Sequence, residues 1–232
     1  MKMLTKILKH HQSTFHTVVD FNNDNDKLLL LNFTAANTDL TDDILNDTDA
    51  FSNYINYKLK TSNSKFGIGG YDENRTVYSR SKVFDTADEP RRLHLGVDIW
   101  GNAGTPVFAA LQGMVHSFAF NDNYGDYGAT IILQHELDGV TFYTLYGHLS
   151  IKDLNGLYEE KPIAKGELIA HFGLPEENGQ WPPHLHFQII NDMENKVGDY
   201  PGVCKLSERE MYLANCPNAD LILKMVQLAT IA

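Results

Sequence analysis

The sequence predicts a mainly β protein, built as an antiparallel sandwich or barrel. Between residues 66 and 200, short runs rich in β-branched and aromatic residues are separated by Gly, Asn and Asp. Short strands at this spacing are typical of antiparallel sheets. The two flanking regions differ, because their apolar residues recur at helical spacing. We therefore predict an N-terminal α/β extension over residues 1–65, a central domain over residues 66–200 and a C-terminal helical tail over residues 201–232.

The flanking regions contain three further signals. Residues 28–33 form an apolar run that fits a buried strand. In the acidic stretch at residues 37–57, apolar residues near helical spacing predict one or two helices after an Asp or Thr cap. Residues 220–229 predict an apolar final helix.

Four runs in the central region fit strands, namely residues 105–110, 113–120, 130–135 and 140–146. The last two flank Asp138-Gly139, a strong hairpin signal. The residues between these runs suggest a loop longer than two residues. The central region is therefore expected to form consecutive antiparallel strands.

Composition narrows the range of partners and locations. The chain of 232 residues has a formal charge of −11, with 19 basic and 30 acidic side chains, which disfavours binding to nucleic acid or to an anionic surface. No run approaches the roughly 18 apolar residues of a membrane helix. The first residues show no secretory signal, so we expect a cytoplasmic protein. Two cysteines, Cys204 and Cys216, are too few for a disulfide framework and fit buried thiols.

Candidate catalytic chemistry comes from four histidines and one aspartate. A catalytic zinc ion takes three nitrogen or oxygen ligands from a protein and leaves its fourth position to water. Five such residues would leave two side chains for proton transfer and charge stabilisation. The five residues are His94, Asp98, His148, His184 and His186.

Local spacing restricts how these side chains can meet. In a strand, His184 and His186 would lie on the same face, roughly 7 Å apart. On a straight strand, His94 and Asp98 would be roughly 13 Å apart, too far to share one ion. Gly96 lies between them and can bend the chain, so we expect the aspartate to fold back onto the histidine.

Five motifs occur in order over about residues 66–192. They are Arg92-Leu-His-Leu-Gly-Val-Asp98, Gly104-Thr-Pro-Val-Phe-Ala, Leu145-Tyr-Gly-His148, Ala164-Lys-Gly-Glu-Leu-Ile and Pro183-His-Leu-His186-Phe-Gln-Ile. Together they resemble the lysostaphin-type, or LytM-type, zinc endopeptidases of peptidase family M23. That resemblance implies a compact antiparallel β-sandwich, the duplicated hybrid motif, with zinc in a groove on one sheet. It also implies cleavage of short peptides in bacterial peptidoglycan.

The resemblance assigns a role to each site residue. It implies that His94, Asp98 and His186 hold one Zn²⁺ ion, and that His148 and His184 are catalytic. The expected function is a zinc-dependent endopeptidase or amide hydrolase that uses an activated water on a peptide or a peptidoglycan fragment. Partners other than the substrate, and the oligomeric state, stay open.

Two side chains are candidate substrate contacts. Arg92, in the basic pair with Arg91, could clamp a substrate carboxylate. Trp181 lies beside two prolines in the loop over residues 173–183, where wall-cleaving relatives usually carry Gly and Ser. This stiffer loop, together with the acidic charge, leaves a small amide substrate as an alternative to peptidoglycan.

Three other interpretations stay open. Two histidines and one carboxylate also make the iron site of non-heme oxygenases. A phosphocarrier of similar fold would use His94 as its phosphorylated residue. A catalytically inactive binding domain is the third alternative, which the presence of all five site residues disfavours.

Overall fold

A computed structural model describes residues 2–84 and 88–231. The first residue of the predicted N-terminal extension and the last residue of the predicted C-terminal tail therefore lie outside the described residues, as do residues 85–87. The predicted mainly β fold is confirmed, and the helical parts are minor. The helices are α1 Lys2–His10, α2 Asp42–Asn46, α3 Thr48–Thr61, α4 Arg209–Asn215 and α5 Asp220–Leu223. The strands are β1 Leu28–Leu31, β2 Phe66–Gly69, β3 Arg91–His94, β4 Val97–Trp100, β5 Pro106–Phe108, β6 Gly113–Asn121, β7 Gly128–Leu137, β8 Val140–Leu149, β9 Pro162–Ile163, β10 Leu168–His171, β11 His184–Ile190, β12 Val203–Lys205 and β13 Thr230–Ile231.

Nine strands form one sheet in the order β13-β1-β2-β4-β11-β8-β7-β6-β9, and β5–β10 and β3–β12 form two small sheets. Along the sheet, every neighbouring pair from β2 through β4, β11, β8, β7 and β6 to β9 is antiparallel. Strand β1 runs parallel to both of its neighbours, β2 and β13. The predicted N-terminal strand is confirmed as β1, and it pairs with β2 across the boundary predicted at residue 65. That domain boundary stays a prediction.

Alternation along the central strands separates the main core from the opposite face. On β4 and β11 the odd-numbered residues, such as Val97, Ile99 and Phe187, are buried in the largest hydrophobic cluster. The even-numbered residues point the other way, since successive side chains of a strand lie on opposite faces. Those residues include Asp98 and His186, which are directly paired in the β4–β11 register. One face of this sheet therefore packs the core, and the other presents polar side chains.

The hairpin at Asp138-Gly139 is confirmed as the connection between β7 and β8. Leu137 pairs directly with Val140, so the loop has two residues and is shorter than the sequence suggested. Asp138 and Gly139 have φ angles of 50° and 74°, as a type I′ turn requires. The right-handed twist of the strands favours this tight turn over a longer loop.

The acidic stretch, for which the sequence predicts one or two helices, forms two, α2 and α3. Thr41 caps α2 by accepting from the N–H of Ile44, and Asp47 caps α3 by accepting from the N–H of Ala50. Helix α3 buries Phe51 in an aromatic cluster with Trp100 of β4. The N-terminal region thus packs against the polar face of the sheet.

The final helix is shorter than the sequence predicts. Helix α5 ends at Leu223, so the prediction over residues 220–229 is wrong beyond that point. Lys224 takes a left-handed conformation with φ 54°, and Asp220 Oδ1 accepts from the N–H groups of Met225 and Val226. Those side-chain hydrogen bonds replace the helical ones and end the helix.

Two remaining predictions concern the cysteines and the membrane. Cys204 and Cys216 are both buried and free, as predicted. Among the helices of the described residues, none is long and apolar enough to cross a bilayer.

Candidate active site

Three predicted ligands converge on the polar face of the sheet. His186 Nδ1 lies 3.0 Å from both Asp98 Oδ1 and His94 Nε2, and His94 Nε2 lies 3.2 Å from Asp98 Oδ1. All three side chains are buried. A cluster of two imidazole nitrogens and one carboxylate oxygen at these distances could hold a metal ion.

The bend predicted at Gly96 brings His94 and Asp98 together. Strand β3 ends at His94 and β4 begins at Val97, with Gly96 in the bend between them. A Cβ atom at Gly96 would lie 2.6 Å from the His186 ring and 2.8 Å from the carbonyl oxygen of Phe187. Glycine is therefore required here because the His186 ring packs directly on the backbone.

The other ring nitrogen of each histidine in the cluster is held by an acceptor. His94 Nδ1 donates to the carbonyl oxygen of Gly70 at 2.8 Å. His186 Nε2 donates to Gln188 Oε1 at 2.9 Å, and the amide of Gln188 is oriented because its Nε2 donates to Pro201 O. With the proton on His94 Nδ1 and on His186 Nε2, the lone pairs of His94 Nε2 and His186 Nδ1 both point at the cluster. Three acceptors facing one another favour a cation between them.

His148 and His184 lie beside this cluster, with ring centroids 4.0 Å apart. His148 Nδ1 donates to Asn178 O and His184 Nδ1 donates to Pro182 O, both at 2.8 Å. Trp100 stacks on the His184 ring at 3.9 Å and fixes its plane. Each Nε2 atom is thereby left as a proton acceptor.

A bulge at the end of β8 turns His148 toward the site. The β7–β8 register shifts between Ala129 and Ile131, where β8 has an extra residue. His148 has a φ of 62°, an uncommon conformation for a residue other than glycine. Tyr146 and Leu149 on either side still face the main core. Without the bulge, alternation from Tyr146 would direct His148 into that core.

Burial sets the protonation states of the site. It lowers the pKa of His94 and of His184 to about 4 each. Burial and the neighbouring His184 together lower the pKa of His148 well below its ordinary value. Although burial alone would raise the pKa of Asp98, His94 and Arg75 hold it well below its usual range. At neutral pH the site therefore contains the Asp98 carboxylate and neutral imidazoles at His94, His148 and His184.

This geometry agrees with a family comparison. The model of peptidase family M23 matches residues 92–197, which include all five site residues. Residues 92–197 belong to peptidase family M23.

Relatives of the M23 domain come from several bacteria. The chain is 33% identical over 125 residues to the DD-carboxypeptidase/endopeptidase Mpg of Neisseria meningitidis serogroup B, covering 52% of this chain and 26% of that protein. It is 31% identical over 139 residues to an uncharacterized metalloprotease of Haemophilus influenzae, covering 57% of this chain and 27% of the other. The chain thus spans about a quarter of the length of the curated relatives it matches.

Two solved structures also resemble the M23 domain. The antimicrobial peptidase lysostaphin from Staphylococcus simulans is 28% identical, with a TM-score of 0.34, covering 53% of this chain and 44% of that chain. A zinc-containing peptidase from Vibrio cholerae is 26% identical, with a TM-score of 0.34, covering 42% of this chain and 27% of that chain.

A cavity of about 260 Å³ lies over the M23 domain's polar cluster. Trp181 forms part of its wall, in contact with His148 and His184 at 6.4 Å between ring centroids. The described wall includes Arg91 and does not include Arg92. Substrate binding by Arg92 stays a prediction, and Arg91 is the member of the basic pair that reaches the cavity.

Three residues outside the sequence motifs also support the site. Arg75 donates to Asp98, Tyr127 packs on His148 and His186, and Asn178 joins His148 to the Trp181 loop. Asn178 exchanges hydrogen bonds of 3.0 Å with the backbone of Trp181, so this loop is fixed against His148. None of these residues has a spacing signal, since each reaches the site through tertiary contacts.

Proposed function

We propose that this chain is a zinc-dependent peptide hydrolase whose metal ligands are His94, Asp98 and His186. The observation that carries the proposal is the convergence of three acceptor atoms, one from each of these side chains. The second nitrogen of each histidine and the second oxygen of the aspartate are already hydrogen bonded elsewhere. Ligands about 2.0 Å from a tetrahedral ion stand about 3.3 Å apart. The separations of 3.0–3.2 Å in this cluster fit that requirement. Nitrogen and carboxylate oxygen donors also suit zinc.

Zinc bound there would polarise the scissile carbonyl and lower the pKa of its water toward neutrality. His184 would accept a proton at Nε2, since its Nδ1–H is held by Pro182 O. His148 would face the tetrahedral oxygen of the substrate. With their rings 4.0 Å apart, the two histidines disfavour double protonation. The pair would therefore carry one proton at a time and return it to the leaving amine.

Peptides of the peptidoglycan type are the substrate class we propose. The support comes from the M23 match and from relatives whose names describe DD-carboxypeptidase and endopeptidase activity. The formal charge of −11 argues against nucleic acid as a partner. The cytoplasmic location expected from the sequence stays a prediction.

The test combines metal analysis with peptide cleavage. We expect purified wild-type protein to contain about one zinc ion per chain and to hydrolyse a panel of peptidoglycan fragments and glycine-rich peptides. His186→Ala should lose zinc and activity together. His148→Ala should keep zinc and lose at least about 10²-fold in kcat/KM, because it removes only a proton-transfer group. Full zinc content in His186→Ala would sink the ligand assignment.

The same measurements separate the alternatives. Iron in the purified protein, with turnover that depends on oxygen, would favour the non-heme iron interpretation. The phosphocarrier interpretation is opposed by the burial of His94, whose two nitrogens are both engaged within the protein. Zinc-loaded protein without activity on any peptide of the panel would favour the inactive binding domain.

A further inference from the structure

A buried arginine lies directly behind the proposed metal cluster. The Arg75 side chain is 1% exposed, and its Nη1 donates to Asp98 Oδ2 at 2.5 Å. The other oxygen of Asp98, Oδ1, is the one that faces His94 and His186. Arg75 thus occupies one carboxylate oxygen while the second points at the metal position.

Further hydrogen bonds hold the Arg75 guanidinium in place. Its Nε donates to Glu73 Oε2 at 2.7 Å, and its Nη2 donates to Gly70 O at 3.2 Å. Gly70 O also accepts the Nδ1–H of His94 at 2.8 Å. One short segment therefore orients two of the three proposed ligands, because it holds the carboxylate through Arg75 and the imidazole through a backbone carbonyl.

This segment is anchored to the strand that carries His94. The N–H of Asp72 donates to His94 O, the N–H of His94 donates to Glu73 O, and the N–H of Arg75 donates to Arg92 O, all at 2.9–3.0 Å. Residues 70–75 lie outside the M23 match at 92–197. The support for the metal cluster thus extends beyond the family segment.

We propose that Arg75 is a positioning residue of the metal centre, which holds Asp98 so that a single oxygen, Oδ1, binds the ion. Glu73 would balance the guanidinium charge, so that Arg75 orients the carboxylate without leaving an uncompensated charge beside the ion. The proposal rests on the proposed metal site. Hydrogen-bonded groups behind ligands commonly govern metal affinity in this way.

The test measures metal binding directly. Zn²⁺ affinity of Arg75→Met and Arg75→Lys would be determined by competition with a chromophoric chelator, and Co²⁺ would be substituted to record its visible absorption. We expect Arg75→Met to bind Zn²⁺ about 10- to 100-fold more weakly than wild type. Its Co²⁺ spectrum should shift toward higher coordination, since Oδ2 becomes free to bind. Arg75→Lys should lie between the two, because an ammonium can reach Asp98 but cannot form the guanidinium fork.

Arg80→Met is the matched control. Arg80 is also a buried arginine, 8% exposed, but it donates to Thr48 and Tyr124 and stacks over Trp181 rather than touching a ligand. Its variant should bind Zn²⁺ within about twofold of wild type. A general cost of removing a buried arginine would instead weaken both variants equally and overturn the proposal.

Folding and the proposed function are controlled separately. Thermal unfolding followed by circular dichroism identifies folded variants, and if Arg75→Met does not fold, Arg75→Lys decides the question by the same two measurements. Wild-type affinity and spectrum in the folded Arg75 variants would overturn the positioning role while leaving the zinc site intact. A wild-type protein that binds no zinc would instead refute the proposed function, on which this inference depends.

Discussion

His135 is a buried histidine outside the site, and its burial makes the stability of the protein depend on pH. It lies on β7 with 1% of its surface exposed. Its Nδ1 donates to Gln112 O at 2.8 Å, and its Nε2 is 2.7 Å from the hydroxyl of Thr144 on β8. Both ring nitrogens are thus engaged in the neutral form. Burial lowers the pKa of His135 to about 4.

This pKa predicts a pH dependence of stability. When the pH falls below 6.5, the ordinary pKa of histidine, the unfolded chain binds a proton at His135. The folded chain binds that proton only near pH 4. The contribution to the free energy of unfolding is therefore fully present above pH 6.5 and is lost as the pH falls toward 4, by on the order of 3 kcal/mol. Urea unfolding of metal-free protein at pH 7, 6 and 5 measures it.

The non-titrating variant His135→Asn should show a smaller decrease in the free energy of unfolding between pH 7 and pH 5. The exposed histidine His10 provides the control variant, His10→Asn, which should keep the wild-type decrease. An unchanged decrease in His135→Asn would contradict this assignment.

At the scale of single elements, strand β8 has residues with positive φ angles near both of its ends. Its first turn, Asp138-Gly139, reverses the chain from β7. Near the other end, the bulge directs the His148 side chain away from the core. Both features depend on the backbone conformation of one or two residues. Between them, β8 is paired along its length, and its side chains alternate between the two faces of the sheet. One extra residue in such a strand therefore moves the next side chain to the opposite face.

The turn gives a prediction for Gly139→Ala. Nothing lies within 4 Å of a Cβ built at Gly139, so the substitution causes no clash, but its φ of 74° disfavours an L side chain. We expect a loss of about 1–2 kcal/mol in the free energy of unfolding, measured by urea titration. Asp138→Asn is the control, and should change stability by less than about 0.5 kcal/mol because Asn tolerates this conformation. Equal effects of the two variants would refute the type I′ explanation.

At the scale of the whole molecule, the N-terminal region is part of the site's support. Phe33 and Phe51 pack on Trp100, with ring centroids 5.1 and 5.9 Å away, and Trp100 in turn stacks on His184. Strand β1 lies between β2 and β13, so the N-terminal and C-terminal regions each add a strand to the central sheet. The polar face of the sheet is thus covered by residues that are distant in sequence.

This packing predicts that Phe51→Ala destabilises the protein strongly. Phe51 is 0% exposed, and its truncation leaves a cavity beside Trp100. We expect a loss of about 3–5 kcal/mol in the free energy of unfolding. Tyr57→Ala, on the same helix but 64% exposed, should cost less than about 1 kcal/mol. Thermal and urea unfolding measure both variants. Equal losses in the free energy of unfolding would mean that the N-terminal region does not support the site.

Local patterns account for much of the fold and for the choice of site residues. Apolar runs, turn residues and caps predict β1, β6, β7, β8 and the helices α2 and α3, because these depend on neighbours in the chain. The bend at Gly96 could also be inferred, since a straight strand would separate His94 from Asp98. The same local reasoning failed at residues 224–229, where the Asp220 side chain ends a helix that apolar spacing would continue.

By itself, the sequence determined the strand-rich centre, the hairpin and the five candidate residues with their chemical types. Only the tertiary structure decided that His186 meets Asp98 across neighbouring strands, 88 residues apart in the chain. It also decided that a bulge directs His148 toward them and that Arg75 holds Asp98 from behind. The reason is physical: pairing register, burial and the orientation of buried polar groups arise from long-range packing, which leaves no periodic signal in the chain.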